Sequence, residues 1–145
     1  MMMQVLWFLL GLILAALFMF FARSQGVHRE RMILAQGLLI AAIIYVGFAA
    51  VWGNRFWIAV EVGGLLIYGL FAFLALRYTI VWLAVGWAAH PFWDIFLHWM
   101  GQGHIIAPEW YVIACLAFDL LVAGYLFICI NRWRDASPRV RFGRI

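Results

Sequence analysis

Charged residues are scarce in this chain, and their scarcity excludes most classes of protein. Only 11% of the 145 residues are charged, whereas a typical soluble domain has about 25%. Hydrophobic residues make up 69% of the sequence, which is too much for a soluble globular fold or a disordered chain. The net charge of +4 comes with too little polar surface to indicate nucleic-acid binding. The composition predicts that the lipid bilayer is the main partner.

Motifs that depend on cysteine or on glycine-rich loops are also missing. Cys115 and Cys129 fall on one predicted helix, about 21 Å apart at 1.5 Å per residue, so they cannot form a disulfide with each other. The sequence contains no glycine-rich phosphate loop, no Cys-x-x-Cys pair and no nucleophile elbow. Apolar burial opposes the thiolate form, so Cys115 is a poor nucleophile.

Long apolar stretches between the charges predict an all-α, polytopic membrane protein of a single domain. A membrane-spanning helix needs about 20 mostly apolar residues, and five stretches meet that requirement. The first stretch has no basic residue before it and no small-x-small cleavage site, so we expect a retained helix rather than a secretory signal. The predicted helices run approximately over residues 2–22, 32–51, 56–76, 79–100 and 110–130, followed by a basic tail over residues 131–145.

The arginines predict the orientation of this five-helix bundle. Short loops rich in basic residues stay in the cytoplasm. Nine of the ten basic residues fall in the first loop, the third loop and the tail, and only Arg55 falls in another loop. We therefore expect the N-terminus outside and the C-terminus in the cytoplasm, as in a multi-pass protein of a bacterial inner membrane.

Three carboxylates remain inside the predicted helices. A charge near the bilayer centre costs at least about 2.5–3.5 kcal/mol, so Glu61, Asp94 and Asp119 need an explanation. The fourth helix also contains His90 and His98, and spacing of four residues places both on one stripe with Asp94. Pro91 removes one backbone hydrogen bond beside His90, which predicts a kink there.

Counting residues inward from the outer helix ends predicts that these polar groups lie at two depths in the membrane, each shared by groups from different helices. We therefore expect helices 3, 4 and 5 to bring them together in one pocket in the outer half of the membrane. Small glycines on helix 3 favour close packing of a neighbouring helix. The other residues predicted to line this pocket are Trp87, Tyr68, Cys115, Tyr111 and Trp93.

Four interpretations of this polar group remain open. It forms a structural hydrogen-bond network for packing or partner assembly; a divalent-metal site such as a zinc site; a proton or ion path; or a pocket for a hydrophobic organic ligand. The predicted metal ligands are His90, Asp94, His98, Asp119 and Glu61. In a catalytic site acting on a small or lipid substrate, His90 and Asp94 would form an acid/base pair, or Glu61 would be the base beside a metal. Glycine-rich helix faces would also suit a second copy or another membrane protein as partner.

A short set of motifs resembles a small bacterial inner-membrane family known only as a domain of unknown function. The matching residues are Glu61, the run Gly-Trp-x-x-His-Pro-x-Trp-Asp over 86–94, His98, Pro-x-Trp-Tyr over 108–111, Cys115 and Asp119. The resemblance covers nearly the whole chain from helix 2 onward and implies no catalytic role. A histidine followed four residues later by an acid is also similar to the sterol isomerase and sigma-2 receptor superfamily, in architecture only.

Overall fold

The computed structural model describes residues 2–136, and these residues fold as helices with no β-strand in that range. The helices are α1 (Met2–Ser24), α2 (Val27–Trp52), α3 (Arg55–Arg77), α4 (Val81–Asp94), α5 (Glu109–Ile128) and α6 (Ile130–Ala136). A π-helical turn, Ile95–Trp99, continues α4, and a 3₁₀ turn, Gln102–Ile105, lies between α4 and α5. The all-α prediction is confirmed for this part of the chain.

Local residue types explain where the helices begin. The Asn54 side chain caps α3 by accepting hydrogen bonds from the backbone N–H groups of Phe56 and Trp57, at 2.9 and 3.2 Å. Gly26 precedes α2 with a φ of 83°, a left-handed conformation that suits glycine best. Pro108 precedes α5, where its missing N–H removes no helical hydrogen bond.

Four of the helices are long and apolar enough to cross a membrane. They are α1, α2, α3 and α5, with 23, 26, 23 and 20 residues and mean hydropathies between 2.1 and 2.7. A helix satisfies its backbone polar groups internally, so it can cross a bilayer. Helices that are apolar on all sides are typical of such membrane spans. The α-helical part of α4 has 14 residues, and the π-helical turn adds 5 more in the same direction. The chain is therefore a helical membrane protein.

Successive helices alternate in direction and define two ends of the bundle. The turn at Asn54 and the loop between α4 and α5 lie at one end, here called the Asn54 end. The turns at Gly26 and Tyr78 lie at the other, the Gly26 end, together with α6. Helix α1 packs along α5, α2 along α3, and α4 between α3 and α5. In this arrangement α3, α4 and α5 each present one face to the centre of the group that they form.

The helix boundaries in the structure lie within about two residues of the predicted ones, except at two places. Helix α2 begins at Val27 rather than at residue 32, because the charged run after Gly26 is helical instead of forming a loop. The fourth helix stops being α-helical at Asp94 rather than continuing to residue 100. The tail prediction is covered only in part, since residues 137–145 lie outside the described residues.

An apolar layer fills the bundle between its two ends. Its large, fully buried side chains come from α2, α4 and α5 and close the centre of the bundle. They are Leu34, Leu38, Leu83, Trp87, Val122 and Leu126. Toward the Asn54 end, a smaller core packs around Tyr45 and Trp57. The polar residues described next lie between this layer and the Asn54 end.

Candidate metal centre

Four side chains from α4 and α5 meet at one point in the bundle. His90 and Asp94 lie one turn apart on α4, and Cys115 and Asp119 lie one turn apart on α5, so each helix presents two groups on the same face. One potential ligand atom from each residue lies within 4.8 Å of all the others. We call these four residues the Asp94–Asp119 cluster.

Distances within the cluster are those of directly interacting groups. His90 Nδ1 lies 2.8 Å from Asp119 Oδ2, a hydrogen-bond distance, and 3.6 Å from Asp94 Oδ2. Cys115 Sγ donates a hydrogen bond to Asp119 Oδ2 at 3.5 Å and lies 3.9 Å from His90 Nδ1. Zinc binds imidazole nitrogen at about 2.0–2.1 Å and thiolate sulfur at about 2.3 Å, so its tetrahedral ligands are separated by roughly 3.3–3.8 Å. Most of the cluster distances fall close to this range.

The cluster is buried and has too few hydrogen-bond donors for its carboxylates. The Asp94 and Asp119 side chains are 0% exposed. Both Asp94 oxygens and Asp119 Oδ1 have no hydrogen-bond partner within residues 2–136, and no arginine in that range forms an ion pair with either carboxylate. A buried carboxylate normally has such a partner or binds a cation. Within the described residues, the two carboxylates share one imidazole, His90, as the partner at ion-pair distance that can carry a positive charge, which distinguishes this site from a satisfied polar core.

Glu61 and His98 form a second polar group beside the cluster. His98 Nε2 lies 3.3 Å from Glu61 Oε1, and the Trp93 indole donates a hydrogen bond to Glu61 Oε2 at 3.3 Å. The other imidazole nitrogen of His98 lies 3.2 Å from the carbonyl oxygen of Gly103. Both Glu61 and His98 are buried. The structure therefore brings all five predicted ligands into one region but divides them between two groups.

The π-helical turn explains this division. The prediction placed His90, Asp94 and His98 on one stripe by assuming α-helical spacing throughout. After Asp94 the helix widens, and the Met100 N–H bonds to the Ile95 carbonyl five residues earlier, at 2.8 Å. The wider turn changes the direction of His98, which faces Glu61 on α3 instead of Asp119 on α5. Such π-helical turns are often found at functional sites.

Tyr45 on α2 separates the two groups and was missed by the sequence analysis. Its ring stacks on His98 with the centroids 4.6 Å apart, and it lies 5.7 Å from the His90 ring. Tyr68 lies 4.8 Å from His90 on another side. A buried tyrosine within a membrane helix is the only sequence signal that could have indicated Tyr45, since helix 2 carries no buried acid near it.

The remaining predicted pocket residues lie on different sides of the cluster. Tyr68 and Trp93 fill the space between Glu61 and His90, where no free volume remains. Trp87, Tyr111 and Cys115 instead line an apolar groove of about 320 Å³ between α1, α2 and α5. A separate polar depression of about 400 Å³ opens at the Asn54 end beside His98, His104 and Glu109. The groove borders the cluster at Cys115 and Asp119, whereas the depression borders His98 of the second polar group.

Comparison of the chain with protein-family models, curated proteins and solved structures finds no match.

Proposed function

We propose that this chain is a five-helix protein of the bacterial inner membrane that binds a divalent metal ion, such as zinc, at the Asp94–Asp119 cluster. The observation that supports the metal is the set of buried carboxylate oxygens that lack donors. A divalent cation supplies the charge that no arginine in the described residues supplies. Imidazole, carboxylate and thiolate are all ligands that zinc accepts.

In the proposed metal site, Cys115 is a ligand in place of two predicted ligands. His98 and Glu61 are predicted ligands, but these two side chains lie 3.3 Å apart, and Glu61 accepts a hydrogen bond from Trp93. Cys115 lies between His90 and Asp119 and within reach of both. A metal bound there would replace the protons that these groups now share, as metal ligands must be deprotonated.

The apolar layer is the reason to prefer a binding site over a path through the membrane. Between the cluster and the Gly26 end, the bundle is closed by fully buried leucine, valine and tryptophan side chains. Proton paths need a continuous series of titratable groups or water. The cluster is therefore closed toward the Gly26 end, with the groove at the side of the bundle beside it, and we propose no translocation.

Metal analysis of purified protein tests this proposal. We expect protein purified in detergent without chelator to hold about one equivalent of zinc. Asp94→Asn, Asp119→Asn and Cys115→Ser remove ligands and should each weaken metal binding by more than about 100-fold, the upper figure for loss of an outer-shell partner. Glu61→Gln is the matched control, since Glu61 is also buried but lies outside the cluster, beside His98 and Trp93, and should retain the metal.

Cobalt substitution gives a readout that identifies the ligands. With Co²⁺ in place of zinc, we expect a thiolate-to-cobalt absorption band that disappears in Cys115→Ser. The band should persist in Glu61→Gln. Wild-type protein without bound metal, or a Cys115→Ser variant with an unchanged cobalt spectrum, would contradict the proposal and leave a structural polar network as the interpretation.

A further inference from the structure

The apolar groove beside the cluster has the shape and position of a site for a hydrocarbon chain. Its volume of about 320 Å³ lies at the lower end of the range for small-molecule pockets. It follows α1 from Leu10 to Phe18, a length of roughly 12 Å along the helix. Its walls come from α1, α2 and α5, three of the helices able to cross a membrane.

Small residues create the space in this groove. Gly11 lets α1 contact α5 directly, since a Cβ there would lie 2.1 Å from the carbonyl oxygen of Ala114. Gly37 and Ala41 on α2 make room in the opposite wall, between the side chains of Ile40 and Ile44. Phe18 closes the deeper end, where a Cβ on Gly37 would lie 2.6 Å from the phenylalanine ring. The groove is therefore a half-open cleft between the helices.

One edge of the groove belongs to the Asp94–Asp119 cluster. Cys115 and Asp119 are part of its lining. The other lining side chains with a polar atom are those of Tyr111, Trp87 and Trp110, and the rest are hydrocarbon or glycine. Asp119 keeps one carboxylate oxygen without a partner among the described residues. The groove therefore runs alongside the α5 half of the cluster, while the Asp119 side chain itself stays fully buried.

The open side of the groove faces the surroundings of the bundle. Leu14 and Ile40 at its margins are 47% and 58% exposed, and both lie in the middle of helices able to cross a membrane. In a bilayer these positions contact lipid chains, not water. A molecule already dissolved in the bilayer can enter the groove without crossing an aqueous phase.

We propose that the groove binds the acyl chain of a membrane phospholipid and holds it beside the metal-binding residues. This inference deepens the proposed function by naming the class of its ligand, and it rests on that function for the role of Cys115 and Asp119. The chain contacts the hydrocarbon walls of α1 and α2. Cys115 and Asp119 lie along the same groove, on the α5 side of the acyl chain.

Photolabelling in detergent tests the inference. The probe is phosphatidylcholine with a diazirine in one acyl chain, added in trace amount, and labelled residues are mapped by peptide mass spectrometry. We expect adducts on Leu14, Ile40 and Phe118 that excess unlabelled phosphatidylcholine removes. Ala41→Trp fills the groove and should lower this competable labelling about tenfold, a loss of about 1.4 kcal/mol in binding.

Matched variants separate blocked binding from a disturbed fold. Ala50→Trp lies on the same helix at an exposed position outside the groove, and should label like the wild type. Ile40→Trp, at an exposed margin position, should reduce labelling without requiring repacking of the core. Groove labelling that Ala41→Trp and Ile40→Trp leave unchanged, or that excess lipid does not remove, would overturn the inference. Labelling by a diazirine fatty acid alone, and not by the phospholipid, would also overturn it.

Metal analysis of the same samples separates this inference from the proposed function. Competable groove labelling in wild-type protein that holds no metal would support the chain site and contradict the metal site. Bound metal without competable labelling would contradict the chain site alone. Retained metal in Ala41→Trp, together with reduced labelling, supports both.

Discussion

Glu30 is a buried charge that has its partner at the opposite end of the sequence. Its side chain is 0% exposed, and it accepts hydrogen bonds from the Tyr125 hydroxyl and from Arg132, the latter at 2.8 Å. Partial burial lowers the pKa of Arg132, but Glu30 and Tyr125 raise it more strongly, so that the pKa lies above its usual value. The guanidinium therefore stays charged and joins α6 to the first turn of α2.

Removing Arg132 should destabilise the protein more than removing an exposed arginine. Arg132→Met leaves the Glu30 carboxylate buried without its cation, which costs about 3–5 kcal/mol in a fully buried pair. Because the Arg132 side chain is 30% exposed, we expect about 1–3 kcal/mol. Thermal unfolding in detergent, followed by circular dichroism, measures the effect, with Arg77→Met as the exposed control.

A double variant tests whether the effect comes from the unpaired carboxylate. Glu30→Gln combined with Arg132→Met removes both charges, so it should be less destabilising than Arg132→Met alone. Equal unfolding temperatures for Arg132→Met and Arg77→Met would show that the ion pair contributes nothing to stability.

At the scale of helices, two glycines on α1 and α2 provide a matched comparison of packing. A Cβ on Gly11 would lie 2.1 Å from a backbone oxygen of α5, which cannot move without moving the helix. A Cβ on Gly47 would meet nothing within 4 Å. Both positions lie inside α-helices, so alanine brings the same gain in helix propensity to each.

Gly11→Ala should therefore destabilise the bundle, and Gly47→Ala should stabilise it. We expect a loss of about 1–3 kcal/mol from overpacking in the first variant and a gain of up to about 1 kcal/mol in the second. Unfolding in detergent measures both. A Gly11→Ala protein as stable as Gly47→Ala would mean that α1 and α5 are not in close contact at this point.

The helices were predictable to the extent that hydropathy alone determines them. Apolar runs of about 20 residues leave few alternatives in a membrane, and α1, α3 and α5 agree closely with the predicted spans. The start of α2 was wrong because Arg29, Glu30 and Arg31 form a charged run typical of a loop. The burial of Glu30 depends on Arg132, which lies 102 residues further along the chain.

The candidate site was predictable as a region but not as a set of contacts. Helical spacing placed the correct residues of α4 and α5 on inward faces, since the period of an α-helix is fixed. It could not reveal the π-helical turn, which depends on how the end of α4 packs and which directs His98 toward Glu61. Nor could spacing within single helices show that Tyr45 of α2 lies between the two polar groups.

At the scale of the whole molecule, the proposed topology depends on whether α4 crosses the bilayer. If it does, the Gly26 end lies in the cytoplasm with six of the seven arginines of residues 2–136, and the Asn54 end lies outside. Single cysteines test this in a Cys129→Ser background, where Cys115 is buried. The exposed loop positions are Ser24 and Tyr78 at the Gly26 end, and Asn54 and Gln102 at the Asn54 end.

A membrane-impermeant maleimide applied to intact cells should label Asn54→Cys and Gln102→Cys but not Ser24→Cys or Tyr78→Cys. All four should be labelled after the membrane is opened with detergent, which controls for exposure of the thiols. The pair Tyr78→Cys and Gln102→Cys decides the role of α4, because these residues lie just before and just after it. Labelling of both from the same side would contradict the five-span arrangement and place the Asp94–Asp119 cluster at a different depth. Labelling of the Gly26 end alone would keep five spans but reverse them, which would put those six arginines outside against the usual distribution of basic residues.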